Sequence, residues 1–176
     1  MLWCLPAGFS VEHGGLYGRG LADLGLEGDS MIVVEAARQA DTLWALEEGL
    51  RSGALSLAIG VLESVALTPS RRLGLASAAS QTSSLLLTHP ASVPAPAAGL
   101  RLRLGRLPSG RHDLDLRAPG PPRLGLVVER CRGGPPASEG FAVELEWCDD
   151  TYCFRMAAGL ADRAHATPVA RSRARD

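Results

Sequence analysis

A chain of 176 residues suits one domain and is long enough to bury a core. Its 18 basic side chains, all arginine, stand against 19 carboxylates, a balance that argues against strong non-specific attraction to nucleic acid or a membrane surface. The lack of lysine excludes a Schiff-base lysine and the ammonium of a phosphate-binding loop, and no apolar stretch reaches the ~18 residues that cross a bilayer.

The first predicted element is the apolar run "LWCL" (2–5), which reads as a strand. Just past it, in "FSVEHGG", Glu12 and His13 stand where parallel sheets place functional loops, so they are a candidate base and orienting pair. "GRGLAD" lacks the third glycine of a dinucleotide-binding fingerprint. "MIVV" (31–34) is the next strand. In "ADTLWALEEGLRSG", Asp41 is placed to cap a helix whose stripe is Leu43, Leu46, Glu47 and Leu50, with Glu47 its one polar break and Gly53 at the left-handed end. "LSLAIGVL" (55–62) follows as a strand ending in Glu63, a candidate acid. Ser64 has no Gly-x-Ser-x-Gly elbow around it. In "LTPSRRLGLASAAS", Thr68 is the expected cap and Pro69 the first helical residue, and "SSLLLT" (83–88) completes the series before His89. Short apolar strands alternating with such helices predict a parallel sheet with strands buried on both faces.

The character changes at "HPASVPAPAAG" (89–99), where proline and alanine break both patterns and predict a loop or linker. After it, "LRLRLGRL", "HDLDLRA", "RLGLVVERC", "FAVELEW" and "YCFRMAA" read as antiparallel strands. "GRLPSGRH" matches the spacing of a phosphate loop but leads into a strand-like segment, so a hairpin turn is expected. Asp149 and Asp150 are placed in a turn, and Cys148 and Cys153, four residues apart with no histidine nearby, make a poor zinc motif. Arg101, Arg103 and Arg106 are candidates for a basic stripe, balanced by carboxylates elsewhere. The polar, basic end (165–176) is expected to be disordered. The start "MLWCLP" carries neither the cationic leader nor the apolar length of a signal peptide, so a cytoplasmic protein with reduced cysteines is expected.

The blocks "LYGRGLADLGLEGDSMIVV", "ADTLWALEEGLRSGALSLAIGVLESVALTPSRRLGLASAASQTSSLLLT" and "ELEWCDDTYCFRMAAGLADR" carry a resemblance. Residues 16 to 88 resemble the core of the bacterial recombinase RecA. They are more similar still to its divergent relatives, the ImuA family of accessory proteins of SOS-induced mutagenesis, with "ALEEGLRSGAL" the most distinctive segment. The resemblance implies one RecA-like domain over 1–164. Its mostly parallel, helix-flanked sheet would occupy 1–88, and antiparallel strands would follow over 100–160.

Carried over, the recombinase's acid–histidine pair falls on Glu12 and His13, and its strand-terminal magnesium acid on Glu63, with Ser64 next. The glutamine that senses the terminal phosphate falls near His89, which departs from the pattern. The interface lysines fall around Glu129 to Arg132, where Arg130 or Arg132 supplies the cation. In RecA-like proteins the phosphate loop precedes the strand matching "LWCL", and this sequence opens on that strand. Glu63 and Glu12 are therefore expected to be relic acids, with no cofactor and no metal. A missing strand would leave two unpaired sheet edges.

The resemblance implies a non-catalytic adaptor in error-prone translesion synthesis. Its partners would be an inactive Y-family polymerase of the ImuB type, an error-prone replicative-type polymerase and RecA itself, with DNA contact indirect or weak and no membrane. The candidate partner contacts are Arg130, Arg132, Tyr152, Phe154 and Arg155. Two other readings follow from the same resemblance. One is a RecA-type ATPase whose phosphate loop is encoded upstream, and the other is a SulA-like inhibitor of cell division.

Overall fold

The computed structural model describes residues 1–157 apart from 24, 27, 90, 93, 94, 113, 116 and 135–138. The expected tail at 165–176 lies outside the described residues. The chain divides into two compact units, Met1–Gly99 and the residues from Leu100 onward.

In the first unit, strand β1 (Leu2–Pro6) leads through two short helices, α1 (Phe9–His13) and α2 (Gly18–Asp23), to β2 (Ile32–Ala36). Helix α3 (Gln39–Arg51) crosses to β3 (Leu57–Leu62), and α4 (Leu67–Ser80) crosses to β4 (Ser83–Thr88). All strand pairings are parallel and the order is β2-β1-β3-β4, so the α/β class read from the alternation is what the chain forms. The core lies where α3 and α4 pack on the central strands: Leu46 and Leu50 of α3 and Leu73 and Ala76 of α4 form one cluster with Leu2, Cys4, Ala58 and Leu62. Gly60 makes that approach possible, because a Cβ there would sit 2.5 Å from a Leu46 methyl.

The outer strands differ from expectation. Only β1 and β3 are largely buried; β2 exposes Ile32 and Val33, and β4 exposes Leu85 and Leu87. These are the two edges of a four-stranded sheet, and an apolar composition cannot bury a strand that lacks neighbours.

The helix starts also shift. Residue Arg38 stands at the N-cap of α3, and Asp41 lies in the first turn, where its carboxylate takes the Arg38 guanidinium at 2.9 Å in place of the backbone amides. Helix α4 starts at Leu67, two residues before Pro69, which still falls among the first-turn residues whose N–H groups have no helical partner. Gly53, with φ +65°, ends α3 as expected. The Pro/Ala segment is a loop, but an anchored one. Ala95 is buried in the core, and the Ala97 N–H donates to Ser70 Oγ on α4 at 3.1 Å.

The second unit is an antiparallel sheet in the order β5 (Leu100–Leu107), β6 (Arg123–Cys131), β7 (Ala142–Cys148), β8 (Cys153–Met156). "HDLDLRA" forms no strand among its described residues. The whole stretch 108–122 is one connection between β5 and β6, closed by the Arg111–Pro119 bridge and by Gly110 N–H on Pro121 O at 2.9 Å. Its period-two pattern has no partner strand, and the prolines that follow cannot donate to one.

Candidate functional site

The strand ends of the first unit gather the acids singled out in the sequence. Glu12 and His13 share the single turn of α1, with His13 Nε2 3.8 Å from Glu12 Oε2, and both are exposed. His13 stacks at a tilt on Phe9, ring centroids 4.8 Å apart. Nearby Ser10 Oγ donates to Glu35 at the end of β2 at 2.6 Å. Glu63 follows β3 directly and is exposed. Its backbone, not its carboxylate, is what the fold holds: the Glu63 N–H donates to Gln39 Oε1 at 3.1 Å, and Gln39 Nε2 donates to Ser64 O at 2.9 Å. One side chain at the start of α3 thus clamps the loop after β3. His89 is exposed and uses Nδ1 to accept the Ala91 N–H, a local turn contact. No group of three or more metal-binding side chains occurs among the described residues.

Between α3 and α4 a shallow groove of about 210 Å3 is lined by Leu43, Trp44, Glu47, Pro69, Arg72 and Leu73. Glu47, read as a break in an apolar stripe, is buried and held by two cations, Arg51 at 2.5 Å and Arg72 at 2.6 Å. Trp44 projects beside it, 63% exposed. The Arg72 partner lies on another helix, so helical periodicity had no means of indicating it.

The strongest surface feature is in the second unit. Strand register places Leu102, Leu104, Leu126, Val143, Leu145, Trp147, Phe154 and Met156 on one face of the sheet. None of them is buried, and Leu104 and Met156 are 54% and 69% exposed. Trp147 and Phe154 meet edge to face across β7 and β8 at 5.1 Å. The opposite face is charged and internally paired. Arg123 contacts Glu144 at 3.0 Å and Glu146 at 3.5 Å, Arg103 pairs with Glu129, and Arg155 stands opposite Glu146.

The sequence-predicted contact residues divide accordingly. Phe154 lies on the apolar face and Arg155 on the charged one. Tyr152 occupies the β7–β8 turn at φ +48° and is exposed, while Arg130 is half-buried near the end of β6 and Arg132 is exposed just beyond it. The structure therefore brings together Tyr152, Phe154 and Arg155 on one hairpin and leaves Arg130 and Arg132 at the far end of β6. The basic stripe dissolves. Arg103 and Arg106 are three positions apart on β5 and face opposite ways, and Arg103 is neutralised by Glu129. The leucines of β5 alternate with these arginines, and that alternation implies an apolar face that an arginine motif does not reveal.

No protein-family model matches the chain. Over 158 residues, 84% of this chain, it is 32% identical to Protein ImuA of Caulobacter vibrioides strain NA1000 / CB15N. It is equally similar to Protein ImuA of Caulobacter vibrioides strain ATCC 19089 / CIP 103742 / CB 15. The chain spans 64% of the length of these curated relatives.

Proposed function

The chain belongs to the ImuA family, and from that premise we propose that it acts by protein contact, as a non-catalytic adaptor in SOS-induced, error-prone translesion synthesis. The observation that carries this reading is the uncovered apolar face of the second unit, with Leu102 and Leu104 at one side and Trp147, Phe154 and Met156 at the other. Contiguous apolar surface of this kind marks a protein interaction site, and its aromatic pair supplies the residue type that dominates interface energetics.

The partner is a polymerase component of the kind the family resemblance implies: the ImuB-type inactive Y-family polymerase first, then the error-prone replicative-type polymerase, with RecA as a further candidate. A near-neutral charge and paired arginines favour recruitment through protein over direct gripping of DNA. Within this reading Glu12 and Glu63 have no chemical task.

Co-purification of the ImuB-type protein with the full chain tests the reading. Phe154→Asp combined with Leu104→Asp is expected to abolish capture while Glu63→Gln leaves it intact. Capture that survives both apolar substitutions contradicts the assignment of this face.

A further inference from the structure

The hairpin that ends the second sheet carries a second feature, independent of its apolar face. Cys148 and Cys153 close the loop "DDTY", and strand register sets them directly opposite each other in the antiparallel pair. Farther along the same ladder the Ala157 N–H donates to Glu144 O at 3.0 Å. Alternation from that point makes the cysteine position a hydrogen-bonded pair, with Cα atoms about 5.5 Å apart. That separation is within the range a disulfide bridges. Both sulfurs are free.

Between them stands Thr151. Its hydroxyl lies 3.1 Å from Cys153 Sγ. The same side chain, with the Thr151 and Asp150 amides and the charge of Arg155, holds the Cys148 thiol below its ordinary value. The other two cysteines have no such setting. Cys4 is fully buried in the first unit, where burial pushes its thiol up to about 11, and Cys131 lies at the far end of β6.

We propose that Cys148 and Cys153 form a peroxide-responsive dithiol that closes into a cross-strand disulfide. The thiolate of Cys153, the exposed member of the pair, attacks one oxygen of a peroxide. The O–O bond breaks, the sulfur becomes a sulfenic acid, and the leaving oxygen departs as water (or as an alcohol, from an alkyl peroxide) after taking a proton. Cys148 then attacks that sulfur, the S–O bond breaks, the hydroxyl leaves as water with the Cys148 proton, and the disulfide forms. Two thiols are oxidised and one peroxide is reduced. The bond fixes the turn that carries Tyr152, so the state of the pair sets the stiffness of the edge hairpin. In a reducing compartment such a disulfide is transient and sensing, not structural.

The test treats the full reduced chain with a small excess of hydrogen peroxide, blocks residual thiols by alkylation and maps peptides without reduction. The expected product links Cys148 to Cys153, loses two hydrogens, leaves Cys4 and Cys131 alkylated and reverts with dithiothreitol. Alkylation of Cys148 and Cys153 after peroxide, or linkage to Cys131 or to another chain, overturns the proposal. In Cys148→Ser the intermediate is expected to be trapped by dimedone on Cys153, and absence of that adduct overturns the order of attack. Thr151→Val is expected to slow closure, because it removes the hydroxyl that lies against Cys153 Sγ and favours the Cys148 thiolate. An unchanged rate contradicts the role given to the hydroxyl.

Discussion

The two units spend similar apolar side chains in opposite ways. In the first, helices α3 and α4 cover the central strands, and Leu46, Leu50, Ala58 and Cys4 are wholly withdrawn from water. In the second, four strands pair edge to edge, yet among the described residues only Cys148 and Ala157 are buried apolar side chains. The lesson is that strand pairing satisfies the backbone whereas burial needs a covering layer. Where the layer is a helix the result is a core, and where the face stays open the apolar side chains remain in contact with water.

The largest expected contrast comes from truncating one leucine in each unit. Leu46→Ala removes a fully buried side chain from the centre of the core and is expected to cost about 2–5 kcal/mol in denaturant unfolding. Leu104→Ala, at a half-exposed position, is expected to cost less than about 1 kcal/mol. Equal costs at the two sites would mean that the second sheet is covered in solution, which would break the comparison.

The ion triad around the buried Glu47 gives the next effect. Replacing both Arg51 and Arg72 with Met strands the Glu47 carboxylate in the α3–α4 interface and is expected to cost about 3–5 kcal/mol, less whatever water the half-exposed arginines already admit. Glu47→Gln in the same background is expected to recover most of the loss. Failure to recover would assign the cost to the arginine stems and their packing.

Much of this architecture was legible beforehand because it is local. The strands at 83–88, 100–107 and 123–131 coincide with their apolar or alternating runs, since side-chain period follows directly from backbone geometry. The illegible parts depend on distant partners. Whether "MIVV" or "SSLLLT" is buried depends on its place in the sheet order. Glu47 acquires its meaning only from Arg72 on the next helix, and "HDLDLRA" alternates without a strand to pair with. The spacing of the cysteines in "CDDTYC" suits zinc poorly, and the turn residues between them indicate a hairpin that sets them opposite. At the strand ends the sequence pointed to Glu63, but the residue the fold uses there is Gln39, through its two backbone contacts.

That clamp predicts a smaller effect. Gln39→Ala is expected to lower stability by about 1 kcal/mol and to raise amide exchange at residues 63–64. Glu63→Gln is expected to change neither. The smallest effect is a pH dependence. The Arg38 hydrogen bond and charge hold the Asp41 carboxyl below its ordinary value. Because the folded value is depressed, this contribution is present above the ordinary carboxylate pKa and is lost as pH falls through the lowered one. Thermal melts of Asp41→Asn and the parent chain are expected to differ slightly at neutral pH and to converge in acid; divergence in acid would reverse the sign.

Hydrogen exchange of the full chain with and without the ImuB-type protein tests the division of labour most directly. Added protection concentrated on β5, β7 and β8, with α3 and α4 unchanged, is the predicted result. Protection confined to α3, α4 and the groove around Trp44 would show that the contact lies on the helical unit instead, and would contradict the account.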